Sequence, residues 1–423
     1  MLDIKFIREN KELIAAGAVK KHIKFDVDAL VSVDDKRRAL TSEIEKKRAE
    51  QNSVSDKIVK AVDQASRESL IAEMKILKET LQKEEEELKT VMTDWQRLML
   101  SVPNIPDMSV PEGDSDKDNM EVRKWGEPTK FSFTPKSHIE LLTNLDMISL
   151  ERGAKVAGFR GYFLTGDVAR LEFALWQFVN NFFLQKGDFK HMIVPSLVRR
   201  EAFLGTGYLP QGEEDLYKTQ DGEFLSGTAE VATMAYHMDE VLDKKQLPIK
   251  FISFADSFRR EAGAHGKDIK GILRVHEFYK WEQVVLCEAN HETSVKHHEE
   301  IQRNTEEITE ALGLPYHVVA NCGGDLGLGQ VKKYDIEVWL PSENAYRETG
   351  SASYFHDFQT RRLNIRYRDD DGKMKFVHSL NNTALSGRPL IAIVENYQNE
   401  DGSIRMPDVL VPYMNGQITI SKK

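Results

Sequence analysis

Residues 258–271 read FRREAGAHGKDIKG, a glycine-rich stretch loaded with cations between two strand-like runs. Loops of this kind meet phosphates, because small residues let the backbone approach and cations answer the charge. On the following strand, read over residues 272–286, alternation places Arg274, His276, Phe278, Lys280 and Glu282 on one face. That set is too polar for a face turned to the core, so it is either a charge ladder or a ligand wall. At about 3.3 Å per residue, Phe278 and Glu282 stand roughly 13 Å apart, comparable with the span from base to side chain of an aminoacyl-adenylate. A stacking aromatic, a phosphate-binding cation and a carboxylate would fit such a ligand.

Three other signals are weaker. Gly324-Asp325-Leu326-Gly327-Leu328-Gly329 looks nucleotide-like but has neither the GxxxxGK[ST] lysine nor GxGxxG spacing, and reads as a turn. Cys287, His291, His297 and His298 could be gathered by a metal, yet they lie where the chain turns helical and polar, which reads as a solvated face. The basic triplets Lys36-Arg37-Arg38 and Lys46-Lys47-Arg48 suit either phosphate contacts or the exterior of a coiled coil.

These residues need elements to hold them. Residues 30–99 contain no Gly or Pro, and Leu70, Met74, Leu77, Leu81, Leu88, Val91, Trp95 and Leu98 fit one heptad seam that only Glu84 breaks. Leu40, Ile44, Val54, Ile58 and Ala61 form a poorer seam, interrupted by Lys47 and Gln51, with a turn at 62–66. The pattern predicts an antiparallel helical hairpin whose arms, at about 1.5 Å per residue, reach roughly 45 Å into solvent. Pro103, Pro106, Pro111 and Gly113 mark a linker. Beyond it come helices at 141–154 and 170–185 and strands at 191–194, 249–254, 272–286, 335–340, 361–368 and 374–380, the last two joined by the Asp369-Asp370-Asp371-Gly372 turn. With few helices between strands, the expected fold class is α+β around an antiparallel β-sheet.

The 423 residues carry 58 Lys and Arg against 68 Asp and Glu, a net charge of −10 that argues against a general nucleic-acid coat and confines any RNA contact to a local patch. Two cysteines outside any CxxC motif indicate neither a disulfide framework nor a structural zinc, so a reducing cytoplasm is expected. No apolar run approaches the roughly 18 residues of a membrane span, and the start of the chain does not read as a signal peptide.

Nearly end to end, the sequence resembles the seryl-tRNA synthetase family of the bacterial and eukaryotic type, within the class II aminoacyl-tRNA synthetases. The resemblance runs through MLDIKFIREN, RGYFLTGDVARLE, LVRREAFLGTGYLP, LSGTAE, FRREAGAHGKDIKGILRVHEFYKWEQ, YDIEVWLPSENAYRE, DFQTRR and ENYQNEDGSIRMPDVLVPYMNG. It implies an N-terminal tRNA-binding domain over residues 1–100 with the hairpin as its arm, a linker at 101–118 and a class II catalytic domain over 119–423. It also implies a homodimer, with Pro195 at the motif 1 interface, ATP as a substrate with Mg2+ as its cofactor, and no zinc.

By the same resemblance, Thr228, Ala229 and Glu230 surround the serine ammonium, which a carboxylate and a hydroxyl suit. Glu282 and Thr383 meet the serine side chain. Arg259 grips the α-phosphate and the serine carboxylate, Arg260 and Glu261 lie beside it, and Arg274 and Val275 contact the nucleotide. Phe278 stacks on adenine and Arg388 covers its other face. Glu348, Thr349, Gly350 and Ser351 line the phosphates, with the Glu348 carboxylate and the Ser351 hydroxyl as hard ligands for Mg2+. The catalytic group is therefore expected to be Arg259, Glu348 and Arg388. The implied partners are L-serine and the long variable arm of serine tRNA, met in part by the two basic triplets, with selenocysteine tRNA as a further acceptor. A relative activating an amino acid for a non-tRNA acceptor is the alternative; such relatives tend to lose the arm. Two departures stand out: Arg388 follows Thr383 by five positions where the family pattern has six, and Gly350 and Ala352 replace a common Ser and Cys.

Overall fold

The computed structural model describes residues 2–263, 268 and 270–422, so Ala264, His265, Gly266, Lys267 and Ile269 of the cation-rich loop lie outside the described residues. The chain divides into two compact units, Met1–Val19 with Ile23–Pro103, and Lys20–His22 with Asn104–Lys423.

In the first unit, helices α1 (Val27–Lys60) and α2 (Gln64–Ser101) pack side by side, burying Leu40, Ile44 and Val54 against Met74, Leu81 and Val91. Two of the three residues that break the seams meet each other: Lys47 of α1 donates to Glu84 of α2. The turn is shorter than the expected 62–66. Asp63 is extended and its carboxylate accepts the Ser66 N–H at 2.8 Å, so the second helix already begins at Gln64. Near the base of the hairpin Asp34, 1% exposed, accepts from Arg8, from Arg37 and from the Trp95 indole at 3.1 Å.

The second unit is built on one eight-stranded sheet: β1 (Met120–Trp125), β2 (Lys190–Ile193), β3 (Ile249–Phe258), β4 (Glu277–Cys287), β5 (Tyr316–Ala320), β6 (Lys332–Leu340), β7 (Ala345–His356) and β8 (His378–Leu385). Their spatial order is β1-β5-β6-β7-β8-β4-β3-β2, and every neighbouring pair is antiparallel except β2 with β3. Helix α3 (Gly166–Lys186) turns Leu171, Leu175, Val179 and Phe183 into the core at four-residue intervals. The short α4 (Ala229–Ala235) and the long α5 (His291–Ala311) also lie against the sheet, and α6 (Phe358–Leu363) and α7 (Arg388–Asn396) complete the unit.

Helix α5 presents a polar side to the sheet and bonds most of it, leaving the buried Asn382 Oδ1 and Gln302 Oε1 without partners. Gln283 donates to the Ile301 carbonyl at 2.9 Å, Asn304 donates to Gln283 at 2.8 Å, Asn382 donates to the Thr305 hydroxyl at 2.9 Å, and that hydroxyl donates to the Thr383 carbonyl at 2.9 Å. Buried polar groups satisfied in this way hold register more specifically than apolar packing does. The network locks β4 to β8 on the side opposite Glu282.

Four local expectations are corrected. The helix at 141–154 is two, His138–Asn144 and Leu150–Ala157, because Asp146 takes a left-handed backbone (φ 60°) between them. The strand at 272–286 starts only at Glu277, which leaves Arg274 and His276 in the preceding loop. Residues 361–363 of the strand expected at 361–368 are the end of a helix, Phe358–Leu363, stopped by Asn364 at φ 56°, and only Arg366–Arg368 pairs with Met374–Phe376 around the Asp-Asp-Asp-Gly turn. Of Cys287, His291, His297 and His298 only His291 is solvated. Cys287 and His298 are buried, His298 stacks on Tyr334 with ring centroids 4.8 Å apart, and His297 meets Glu300 at 2.8 Å. Among the described residues no three side chains gather as metal ligands. The glycine-rich 324–329 run is a packed turn as expected; a Cβ on Gly324 would lie 2.4 Å from the Asp114 carbonyl oxygen.

Candidate active site

Strand β4 delivers Phe278, Lys280 and Glu282 to one side of the sheet, and its neighbours supply the rest. Register pairs Glu282 with Thr383 on β8 and with Ser253 on β3. Arg259 follows directly on β3; its guanidinium lies 5.3 Å above the Phe278 ring and its Nε donates to the Gly227 carbonyl. Although Arg388 comes one position early relative to the family pattern, α7 starts at that residue. Its Nη1 donates to the Glu348 carbonyl at 2.7 Å and its Nε to the Leu273 carbonyl at 3.2 Å. Arg259, Glu261, Arg274, Val275, Phe278, Lys280, Glu348, Thr349, Gly350, Thr383 and Arg388 thus line a single cleft.

At its inner end three buried charges meet. Lys280 Nζ is 2.5 Å from Glu282 Oε2 and 3.5 Å from the Thr228 hydroxyl. Glu230, in the first turn of α4, accepts from Tyr208 at 2.9 Å and from Gln359 at 2.7 Å. Gln359 is itself aimed by Ser379, which donates to its Oε1 at 2.7 Å. Burial pushes the Glu282 carboxyl up to about 7, against the pull of Lys280 and Arg259, with Glu230 adding repulsion. Burial likewise raises Glu230, opposed by Gln359, Tyr208 and Lys280.

At the outer end burial works to raise Glu348, but Arg388, Lys333 and Arg259 outweigh it and hold the carboxyl below its ordinary range. Ser351 lies opposite Asp335 on β6, whose Oδ2 accepts from Asn321 and whose buried Oδ1 has no hydrogen-bond partner among the described residues.

The expected site residues do not all stand free toward a ligand. Arg274 is paired with Glu261 at 2.5 Å and with Asp268 at 3.5 Å. Arg260 points out to solvent. Ser351 faces Asp335 rather than the cleft wall. In the hairpin, Lys36 pairs with Glu87, Arg37 with Asp34, Lys47 with Glu84 and Arg48 with Glu85, whereas Arg38 and Lys46 have no ion-pair partner among the described residues. Sequence reasoning missed Tyr208, Gln359, Asp335 and the pairing of Lys280. The alternation on β4 had already put Lys280 on the right face; the other three carry no local signal.

Residues 217–397 match the tRNA synthetase class II core domain shared by the glycine, histidine, proline, serine and threonine enzymes. Together with the antiparallel sheet and the cleft upon it, this makes the second unit the core of a class II aminoacyl-tRNA synthetase. Residues 1–106 match the seryl-tRNA synthetase N-terminal domain. A Serine–tRNA ligase of Thermodesulfovibrio yellowstonii is 45% identical over 98% of this chain and 99% of its own. The solved seryl-tRNA synthetase of Pyrococcus horikoshii, complexed with ATP, superposes with a TM-score of 0.90 at 37% identity, covering 100% of both chains. The cytoplasmic Serine-tRNA ligase of Naegleria fowleri, in complex with AMP, gives 0.87 at 33% identity over 100% of this chain and 99% of that one. The chain belongs to the seryl-tRNA synthetase family and is a class II serine–tRNA ligase. No helix among the described residues is long and apolar enough to cross a membrane.

Proposed function

We propose that the cleft activates L-serine with ATP as seryl-adenylate and that the acyl group then passes to the terminal ribose of serine tRNA. The observation that carries this reading is the convergence, in one cleft, of an aromatic ring under a guanidinium with Lys280 and Thr383, behind which Glu282 is buried as the contact of the first and the cross-strand partner of the second. Phe278 and Arg388 sandwich the adenine; Arg259 holds the α-phosphate and the serine carboxylate; Thr228 and Glu230 take the ammonium. The serine carboxylate attacks the α-phosphorus, the bond to the bridging oxygen breaks, and pyrophosphate departs with the negative charge that Arg388 and Arg259 offset. No protein nucleophile is needed, since positioning and charge stabilisation supply the catalysis. The half-exposed Glu348 carboxylate and the Ser351 hydroxyl beside the unpartnered Asp335 oxygen are oxygen donors of the kind Mg2+ accepts while keeping its waters and phosphate ligands, and these residues would hold it. When bound, that ion supplies further neutralisation of phosphate charge.

Glu282 and Thr383 read the serine hydroxyl. A pocket built to bond a hydroxyl rejects alanine because polar groups are left unpaired. The hairpin grips the long variable arm of serine tRNA, with Arg38 and Lys46 as its phosphate contacts, and selenocysteine tRNA is a second acceptor for the same arm. The retained arm argues against a non-tRNA acceptor. Pro195 stands between Ile193 and Leu197, 87% and 47% exposed, and this apolar edge is the dimer face. Serine-dependent exchange of pyrophosphate into ATP, with alanine, threonine, cysteine and glycine as competitors, tests the activation step. Exchange with serine alone supports it, and no exchange with any amino acid removes it.

A further inference from the structure

The reading above leaves one buried charge of the cleft without a task. Lys280 is 8% exposed on the pocket side of β4, and its ammonium touches Glu282 and approaches Thr228. Burying an ammonium and a carboxylate together is expensive in solvation, and replacing such a pair by apolar residues is often neutral or stabilising. Stability alone therefore gives a poor account of Lys280. Recognition gives a better one.

We propose that Lys280 is a positioning residue for amino-acid recognition, acting through Glu282: its ammonium supplies the counter-charge and the aim that make this carboxylate an acceptor-only partner for a substrate hydroxyl. An ionised carboxylate only accepts, whereas a protonated one also donates. By favouring the ionised form, Lys280 biases the pocket toward a donor on the substrate side chain, which serine has, alanine lacks and cysteine offers only weakly. The groups facing Glu282 are few. Lys280 sits two positions away on β4, Glu230 and Thr228 come from the start of α4, Tyr208 bonds Glu230, Arg259 follows β3, and the neutral Ser253 and Thr383 flank it on β3 and β8. Among the described residues Lys280 is the cation in contact with Glu282, and it works against burial and the Glu230 charge, which push that carboxyl toward neutrality. The inference rests on the serine-activation reading.

The test is serine-dependent ATP–pyrophosphate exchange as a function of pH for the full-length wild type, Lys280→Met and Lys280→Arg. Loss of the counter-charge raises the Glu282 pKa, so the acid limb of kcat/KM for serine moves to higher pH. For Lys280→Met the expected result is an upward shift of about one unit and a serine KM up by about tenfold, the equivalent of one pKa unit, with the KM for ATP within about twofold. Discrimination against cysteine and alanine should weaken alongside. Lys280→Arg, which keeps the charge, should hold the acid limb at the wild-type pH; it decides the matter if Lys280→Met does not fold, and a shifted limb in it overturns the inference. An unshifted acid limb and unchanged serine KM in a folded Lys280→Met also overturn it, as does an equal rise in the KM values for serine and ATP. A wild type without serine-dependent exchange removes the activation reading and the inference with it, whereas an active wild type beside an unshifted Lys280→Met removes the inference alone.

Discussion

Glu282 and Thr383 face each other directly across the antiparallel strands β4 and β8, one 2% and the other 5% exposed, although 101 positions of chain separate them. Cross-strand partners point to the same face of a sheet, so a carboxylate and a hydroxyl are presented together at the inner end of the cleft. Thr383→Val keeps the shape and removes the hydroxyl. It should lower kcat/KM for serine by about 5- to 150-fold, the range expected for one unmade buried hydrogen bond, while alanine loses less. Exchange kinetics with the two amino acids measure the ratio.

Gln359 holds Glu230 from a helix 129 positions away in the chain. Gln359→Leu leaves the buried carboxylate with one donor fewer, a loss of about 1–3 kcal/mol. We expect a lower melting temperature, a higher KM for serine and an acid limb displaced upward, because the Gln359 bond works against the burial that raises the Glu230 pKa. Calorimetry and pH-dependent exchange read the two effects separately.

In the hairpin, Lys47 and Glu84 are partly buried where each seam would take an apolar side chain. Replacing Glu84 alone by Leu strands the lysine and should destabilise the hairpin. Replacing both by Leu should recover or exceed wild-type stability, since apolar residues pack without the desolvation cost. Denaturant titration followed by circular dichroism gives the order of the three.

Arg38 and Lys46, the two members of the basic triplets with no ion pair among the described residues, are the ones available for RNA phosphate. Reversing both charges should raise the KM for serine tRNA and flatten the dependence of log binding constant on log salt by about 1.4 to 1.8, at 0.7 to 0.9 per lost phosphate contact. Filter binding across a salt series measures the slope.

Glu300 accepts from His297 at 2.8 Å and also from Lys250, and these bonds hold its carboxyl down at about 2 against the opposing effect of burial. A carboxyl depressed in the folded state stabilises above its unfolded pKa and ceases to as pH falls through the folded value. Glu300→Gln should therefore be less stable than wild type above about pH 4.5, with the gap closing toward about pH 2. Urea melts at several pH values would show it.

Much was legible without coordinates wherever the signal is local. A seven-residue apolar repeat specifies a helical hairpin because period alone decides which face is buried, and a two-residue alternation was enough to put Phe278, Lys280 and Glu282 on one wall. The family motifs named most of the cleft. Local signals failed where another part of the chain decides the outcome: β4 begins at Glu277 rather than at residue 272, and residues 361–363 end a helix in place of starting a strand. The short-range pattern there fits both states, and tertiary packing chooses. The same reason hid the partners of the site. That Lys47 answers Glu84, that Lys280 is spent on Glu282, that four of the six triplet cations are already paired, and that Tyr208 and Gln359 clasp Glu230 are all facts of long-range register. Sequence by itself determined which chemical groups the chain owns and which local faces carry them. Only the tertiary structure decided which charges meet, because burial and distance, not residue type, set whether a charge is free for a ligand or committed to a neighbour.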